Sequence, residues 1–355
     1  MSPVWHAAPC PEPSGAHAAR ARARQQVLTK PTGSLGRLED LAAELAGLQA
    51  SDSPTARRAP ILVFAADHGV TVRGVSAYPA SVTVEMLRNF AHGGAAIAVL
   101  ARELGSPLAV IDAGTFADTP VPGVVTDKPR RGTRDLSREA AMTGAELEHA
   151  LACGRRAVLR ATEDGADLLL LGEMGIGNTT SAAAIACALL GRRAQDLVGA
   201  GSGVDEAARA RKVRVVDEAL ALHALARLEA GASGVLRCLA AVGGLEIAAL
   251  AGAMIAAAQS RRPVLVDGFI ASVAALAAVQ LNRGVAPWLL YSHRSAELGH
   301  RAVLDALAAR PLLDLSLRLG EASGAALALP LVRLACALHN GMATFAQAAV
   351  SGRCL

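Results

Sequence analysis

LLLLGEMGIGNTTSAAAIACALL, residues 168–190, decides how the rest of the chain is read. Four leucines make an apolar run short enough for one buried strand. Glycines at 172, 175 and 177 break it, and an alanine-rich stretch follows with the small side chains of a tightly packed helix. Strand, glycine turn and helix together form one half of a βαβ unit. Helix N-termini present free N–H groups, so such a turn can hold an anion, and Thr179 and Thr180 could add hydroxyl donors. Yet Glu173 stands inside the turn and no P-loop lysine follows. A carboxylate suits sugar hydroxyls better than a phosphate. The pairing fits a ribose phosphate, with Gly175 and Gly177 approaching one end and Glu173 the other.

The same theme recurs outward from this stretch. ILVFAADHGV (61–70), LAVIDAGT (108–115), PVLVDGFI (263–270) and PWLLYSHRS (287–295) are further apolar runs ending in polar residues, with helical patterns between them. Alternating strands and helices predict an α/β fold, a parallel sheet flanked by helices on both faces. In such sheets ligands bind beyond the C-terminal strand ends. Asp67-His68, Asp112, Glu173, Asp267 and Ser292-His293 all fall there. Each alone could be capping a helix; five at one sheet edge predict a polar active-site rim.

The chain has 355 residues, enough for one large domain with a smaller companion, and is 52% hydrophobic but only 3% aromatic. Its core must therefore be aliphatic and alanine-rich. Net charge is +4 with signs interspersed. That balance, without stacking aromatics or a long basic run, argues against nucleic acid as a partner. The N-terminal segment has no apolar signal core, and AVGGLEIAALAGAMIAAAQ (241–259) is interrupted by Glu246, so it reads as a buried helix rather than a membrane span. The six cysteines (10, 153, 187, 238, 336, 354) lack CxxC spacing and are expected to be reduced, in a cytoplasmic protein. Residues 1–23 are expected to be poorly ordered at their start, and GMATFAQAAVS (341–351) to form a short closing helix.

Three further features carry possible chemistry. VGAGSGVDEAARARK (198–212) puts a flexible Gly201/Gly203 turn before Lys212, either a second phosphate contact or a solvated basic helix beside Arg209, Arg211 and Arg214. His68, His293 and the strand-end aspartates invite a metallohydrolase reading, but no HxH, HExxH or CxxC spacing supports a metal. Glu321, in LRLGEASGAALALPL, has almost wholly aliphatic or small neighbours. It either caps the helix that follows or serves as a base whose pKa burial raises.

Taken together, these segments resemble the nicotinate-nucleotide–dimethylbenzimidazole phosphoribosyltransferases of cobalamin biosynthesis. The resemblance runs from about residue 27 to 350 and rests on KPTGSLGRLE, FAADHGV, YPASVTVEML with NFAHGGAAI, IDAGT, GEMGIGNTTSAAA, VGGLEIAALAGA, DGFI, SHRSAELGH and LRLGEASGAALALP with MATF. Ala200 stands where many relatives are expected to have Arg, and Ala322-Ser323 where Gly-Thr is usual.

The resemblance implies transfer of phosphoribose from nicotinate mononucleotide to 5,6-dimethylbenzimidazole, with no cofactor and no metal. It implies Glu321 as general base. Glu173, Gly175, Asn178, Thr179, Gly203 and Lys212 would hold the ribose phosphate, and Ser292, His293 and Arg294 would lie near the departing nicotinate. Ser81, Met86 and Leu319 would form the wall of the base pocket. A homodimer is also implied. Each subunit would have a Rossmann-like catalytic domain (46–325) and a small helical domain from both termini (1–45 and 326–355).

Overall fold

The computed structural model describes residues 4–163, 165–201 and 203–351. Six strands form one sheet: β1 (Ile61–Ala66), β2 (Leu108–Gly114), β3 (Val125–Thr126), β4 (Leu169–Met174), β5 (Val264–Val266) and β6 (Leu289–Tyr291). All neighbouring pairs are parallel, in the order β3-β2-β1-β4-β5-β6. This is the doubly wound Rossmann order. The chain lays down β1 to β3 in one direction, then returns to continue on the other side of β1 with β4. A crevice opens beyond the C-terminal ends of these two strands, where loops leave in opposite directions. The α/β reading of the sequence holds. β3, only two residues long, was not legible as an apolar run.

Every residue of β1 is buried, as is all of β4 except Met174, because helices cover the sheet. Helix Leu245–Gln259 packs on β1, β2 and β4, and 14 of its 15 residues are buried, including Glu246. It is a core element. No described helix is long and apolar enough to cross a membrane.

Both chain ends fold against one another. Helices Gly15–Val27 and Ser323–Gly341 both pack on helix Arg37–Gln49. Arg24 donates to the carbonyls of His339 (2.8 Å), Asn340 (3.3 Å) and Met342 (3.1 Å). A cation thus satisfies carbonyls that have no partner within the helix, at the negative end of its dipole.

Of the two expectations about the termini, the poor order at the very start falls partly on residues 1–3, outside the described residues, and the closing helix fails. The segment after residue 4 is ordered: Trp5–Ala7 makes a 3-10 turn, and Trp5 Nε1 donates to Glu148 (3.0 Å). Proline-rich chain has few amide donors, so its carbonyls take side-chain donors instead. Gln259 bonds the Trp5 and Ala8 carbonyls, Asn282 those of His6 and Ala8, and Trp288 that of Pro11. At the other end, residues 342–351 form no closing helix. Their backbone pairs with residues 27–29 instead, Thr29 N–H to Ala343 and Phe345 N–H to Val27, in a small antiparallel bridge. The cysteines at 10, 153, 187, 238 and 336 are unpaired, and Cys354 lies outside the described residues.

Candidate active site

The two LGE segments that echo each other in sequence meet in space. Glu173 ends β4, and the Glu321 amide donates to the Glu173 carbonyl (3.1 Å). A Cβ at Gly172 would come within 2.0 Å of the Ala322 amide nitrogen, so only glycine lets strand and turn approach this closely. Both carboxylates enter a cavity of about 430 Å³ beyond the C-terminal ends of the central strands.

Its lining has two characters. Tyr78, Val82, Met86, Met174, Ile176 and Leu319 are apolar and suit a flat ring. Asn178, Thr179, Gly201, Ser295, Glu297 and Arg318 are polar or small. Asn178 and Thr179 open helix Asn178–Leu190, whose N-terminal amides favour an anion. Beneath them lies Lys212, 1% exposed on helix Glu206–Leu222, with Nζ donating to Thr179 Oγ1 at 2.6 Å. The alternative of a solvated basic helix fails for this residue. Arg318 is the single Lys or Arg in the lining among the described residues, and it donates to the Gly201 carbonyl (3.3 Å).

The electrostatics follow from burial. Glu173, beside the carboxylates of Glu246 and Asp267, is pushed well above the usual carboxylate range, although Asn178 Nδ2 donates to it. Burial also raises Glu321. The Ile97 amide points toward its carboxylate, but Oε2 is buried with no partner. Burial lowers Lys212 to about 8 and His293 to about 4, so the imidazole is neutral at pH 7. Asp267 is raised to about 7 by burial, opposed by the amides of Ala325, Gly324, Gly268 and Ala322.

Of the residues singled out in the sequence, Glu321, Glu173, Gly175, Asn178, Thr179, His293, Met86 and Leu319 share this lining. Lys212 and Ser292 lie directly behind it. Ser292 Oγ contacts His293 Nδ1 at 3.0 Å. Gly203, Ser81 and Arg294 are outside the lining. Gly203 is an exposed turn residue, while Ser81 begins helix Ser81–Ala91 with its own side exposed and Val82 and Met86 facing in. Arg294 pairs with Asp314 at 2.5 Å, both about half exposed. Sequence reasoning missed Tyr78, Ser295, Glu297 and Arg318. All four lie in segments quoted above, but nothing in their spacing marked them.

The expected rim of five strand ends also divides. Asp67 accepts the Phe116 amide (2.7 Å), and Asp112 accepts the Gly114 and Thr115 amides and the Lys128 ammonium (2.7 Å). His68 is spent on Glu246, 2.8 Å away and fully buried. Asp112 thus caps its own loop, while Asp67 and His68 are held by groups from other segments of the chain. Among the described residues, no three His, Cys, Asp or Glu converge as metal ligands would.

Comparison with known proteins gives a consistent picture. A family model described as phosphoribosyltransferase matches residues 10–350. A nicotinate-nucleotide–dimethylbenzimidazole phosphoribosyltransferase of Bradyrhizobium sp. (strain ORS 278) is 63% identical over 353 residues, 99% of each chain. The enzyme of that name from Ectopseudomonas mendocina (strain ymp) is 56% identical over 354 residues, again 99% of each. A crystal structure from Thermus thermophilus, with the same name, superposes with a TM-score of 0.89 at 44% identity. It covers 96% of this chain and 100% of that one.

Proposed function

The chain belongs to the nicotinate-nucleotide–dimethylbenzimidazole phosphoribosyltransferase family, and we propose that Glu321 is the base of its reaction. The enzyme transfers the 5-phosphoribosyl group of nicotinate mononucleotide to 5,6-dimethylbenzimidazole, giving α-ribazole 5′-phosphate and nicotinate, in cobalamin biosynthesis.

One ring nitrogen of the benzimidazole attacks C1 of the ribose from the face opposite nicotinate, which inverts the β-nucleotide to an α-riboside. The bond from C1 to the pyridinium nitrogen breaks, and its electron pair neutralises the leaving ring. No acid is needed to expel it. The other benzimidazole nitrogen becomes acidic as the bond forms and gives its proton to Glu321. The observation that carries this role is the buried, unpartnered Oε2 of Glu321 in a cavity with an apolar wall. Burial makes that carboxylate a stronger base near neutral pH.

The phosphoribose is assigned to the polar end. Thr179, the helix amides and Gly175 meet the phosphate, with Lys212 supplying charge from behind Thr179. Glu173 and Asn178 meet the ribose hydroxyls, and His293 with Ser292 lies on the nicotinate side. Tyr78, Val82, Met86 and Leu319 enclose the benzimidazole. Gly203, Ser81 and Arg294 keep their assigned roles only if substrate draws their segments inward. The expected result is nicotinate release on mixing both substrates, unaffected by a chelator. A metallohydrolase would lose activity to the chelator, and a nucleotide-binding regulator would release nothing.

The working unit is proposed to be a homodimer in the cytoplasm, its subunits divided into residues 46–325 and a small helical domain from 1–45 and 326–355. The mutual packing of the terminal helices supports the division, although residues 5–11 lie on the larger part. Exposed Val72 (79%), Leu319 (58%), Leu315 (58%) and Tyr78 (54%) support the dimer, and Leu319 and Tyr78 line the cavity. Unpaired cysteines support the compartment. Sedimentation at micromolar concentration should give twice the monomer mass; a stable monomer would end the dimer reading.

A further inference from the structure

The turn that carries Glu321 has an unfavourable backbone. Gly320, Glu321 and Ala322 all have positive φ, at 87°, 61° and 62°. For Glu321 and Ala322 this left-handed conformation is disfavoured roughly five- to thirtyfold at each residue. Two such residues in succession persist only where their surroundings over-determine them. One hold is visible on β4, where the Glu321 amide meets the Glu173 carbonyl.

The other hold is on β5. Asp267 follows that strand, is 1% exposed and does not line the cavity. Its Oδ1 accepts the Ala325 amide at 3.1 Å, and the amides of Ala322 and Gly324 also donate toward its carboxylate. The residue is itself anchored, because Ser292 Oγ donates to its carbonyl at 3.3 Å. It also lies 3.8 Å from His293 Nδ1, beyond the end of the neighbouring strand β6.

We propose that Asp267 is a positioning residue for the reaction: it clamps the left-handed turn 320–322 from behind and so fixes where the Glu321 carboxylate points. This rests on Glu321 being the base. A carboxylate suits the task because both oxygens only accept, and every group facing it from the turn is an N–H donor. Asparagine has the same shape but turns an NH₂ toward those donors, which leaves the turn free to relax.

Asp267→Asn is expected to lower kcat at least tenfold while the KM for nicotinate mononucleotide changes less than threefold. An ordinary helix cap would shift the Tm and leave kcat of the folded enzyme alone. Adding Ala322→Gly to Asp267→Asn should restore about fivefold or more, the factor by which a left-handed alanine is disfavoured. In a Glu321→Gln background, Asp267→Asn should cost nothing further, since it acts through a base already removed.

Normal kcat in Asp267→Asn, no rescue by Ala322→Gly, or an equal loss in the Glu321→Gln background would each overturn the clamp. Failure of the base reading looks different, because Glu321→Gln alone would then retain its turnover. If Asp267→Asn does not fold, hydrogen exchange of the unaltered enzyme decides. The amides of 322, 324 and 325 should exchange as slowly as those of β5, and exchange at the rate of an open loop overturns the proposal.

Discussion

Glu321→Gln is expected to lower kcat by roughly 10²- to 10⁴-fold, the contribution of one positioned general base, or about 3–5 kcal/mol of barrier. Glutamine keeps the shape of the side chain and its amide still bonds the Glu173 carbonyl, so the turn and the helix after it should survive. What is lost is an oxygen able to take the benzimidazole proton. Oε2 is buried and unpartnered, so no group in the protein stands ready to replace it. The loss should also appear in the pH profile. Burial raises the pKa of Glu321, so kcat at saturating substrates falls as pH drops through that raised pKa. The residual activity of Glu321→Gln should show no such limb. Glu173 is the competing base. Burial, and after it the carboxylates of Glu246 and Asp267, push it higher, and it already accepts from Asn178, so it is more often protonated and less free. Both glutamine variants should be assayed for nicotinate release at saturating substrates. Near wild-type kcat in Glu321→Gln would transfer the role away from it.

How much of this was legible in the sequence depended on how local each signal was. The strand-turn-helix units were legible because apolar runs of four or more residues and the glycines after them are written contiguously. The tertiary pairing of LGE at 171–173 with LGE at 319–321 was visible only as an echo; that they touch follows from β4 and the last long helix sharing one sheet face. β3 escaped because two exposed residues, Val125 and Thr126, carry no pattern. The order of residues 5–13 escaped because its donors, Gln259, Asn282 and Trp288, lie some 250–280 positions away.

The strand-end aspartates show the opposite limit. Their positions were read correctly from sequence, but not which way each would turn. Asp112 bonds the amides of its own loop, Asp67 bonds the Phe116 amide in the loop after β2, and Asp267 bonds a turn 55 to 58 residues further on. Residue type and spacing locate such a side chain at the sheet edge. Whether it faces ligand or backbone depends on the loop that happens to cross it. Arg318 is similar: nothing in LRLG marks it, and it reaches the lining because the turns at 201 and 318–321 meet there.

Lys212→Ala is expected to raise the KM for nicotinate mononucleotide about tenfold to a hundredfold with a smaller effect on kcat, from losing roughly 1.5–3 kcal/mol of charge-assisted contact. The ammonium lies under the Gly201 turn, where a Cβ would come within 3.0 Å of Nζ, and bonds Thr179, which does line the cavity. A phosphate against Thr179 and the helix amides would therefore feel a nearly dry positive charge. Burial lowers that lysine to about 8 in the empty protein. The sign follows directly: below pH 8 the cation is already present, and above it each bound phosphate must first recruit a proton. Donor KM should therefore rise with pH above about 8, approaching tenfold per unit. It should also rise below about pH 6, where the phosphate itself loses charge. In Lys212→Ala the alkaline rise should vanish while the acid rise stays. Because truncation also opens a hole in a site 1% exposed, Lys212→Met provides the packing control. It fills most of the space without the charge, and should match Lys212→Ala in donor KM while recovering its Tm. An unchanged donor KM in both variants, or an alkaline rise that persists in them, would remove Lys212 from the phosphate site.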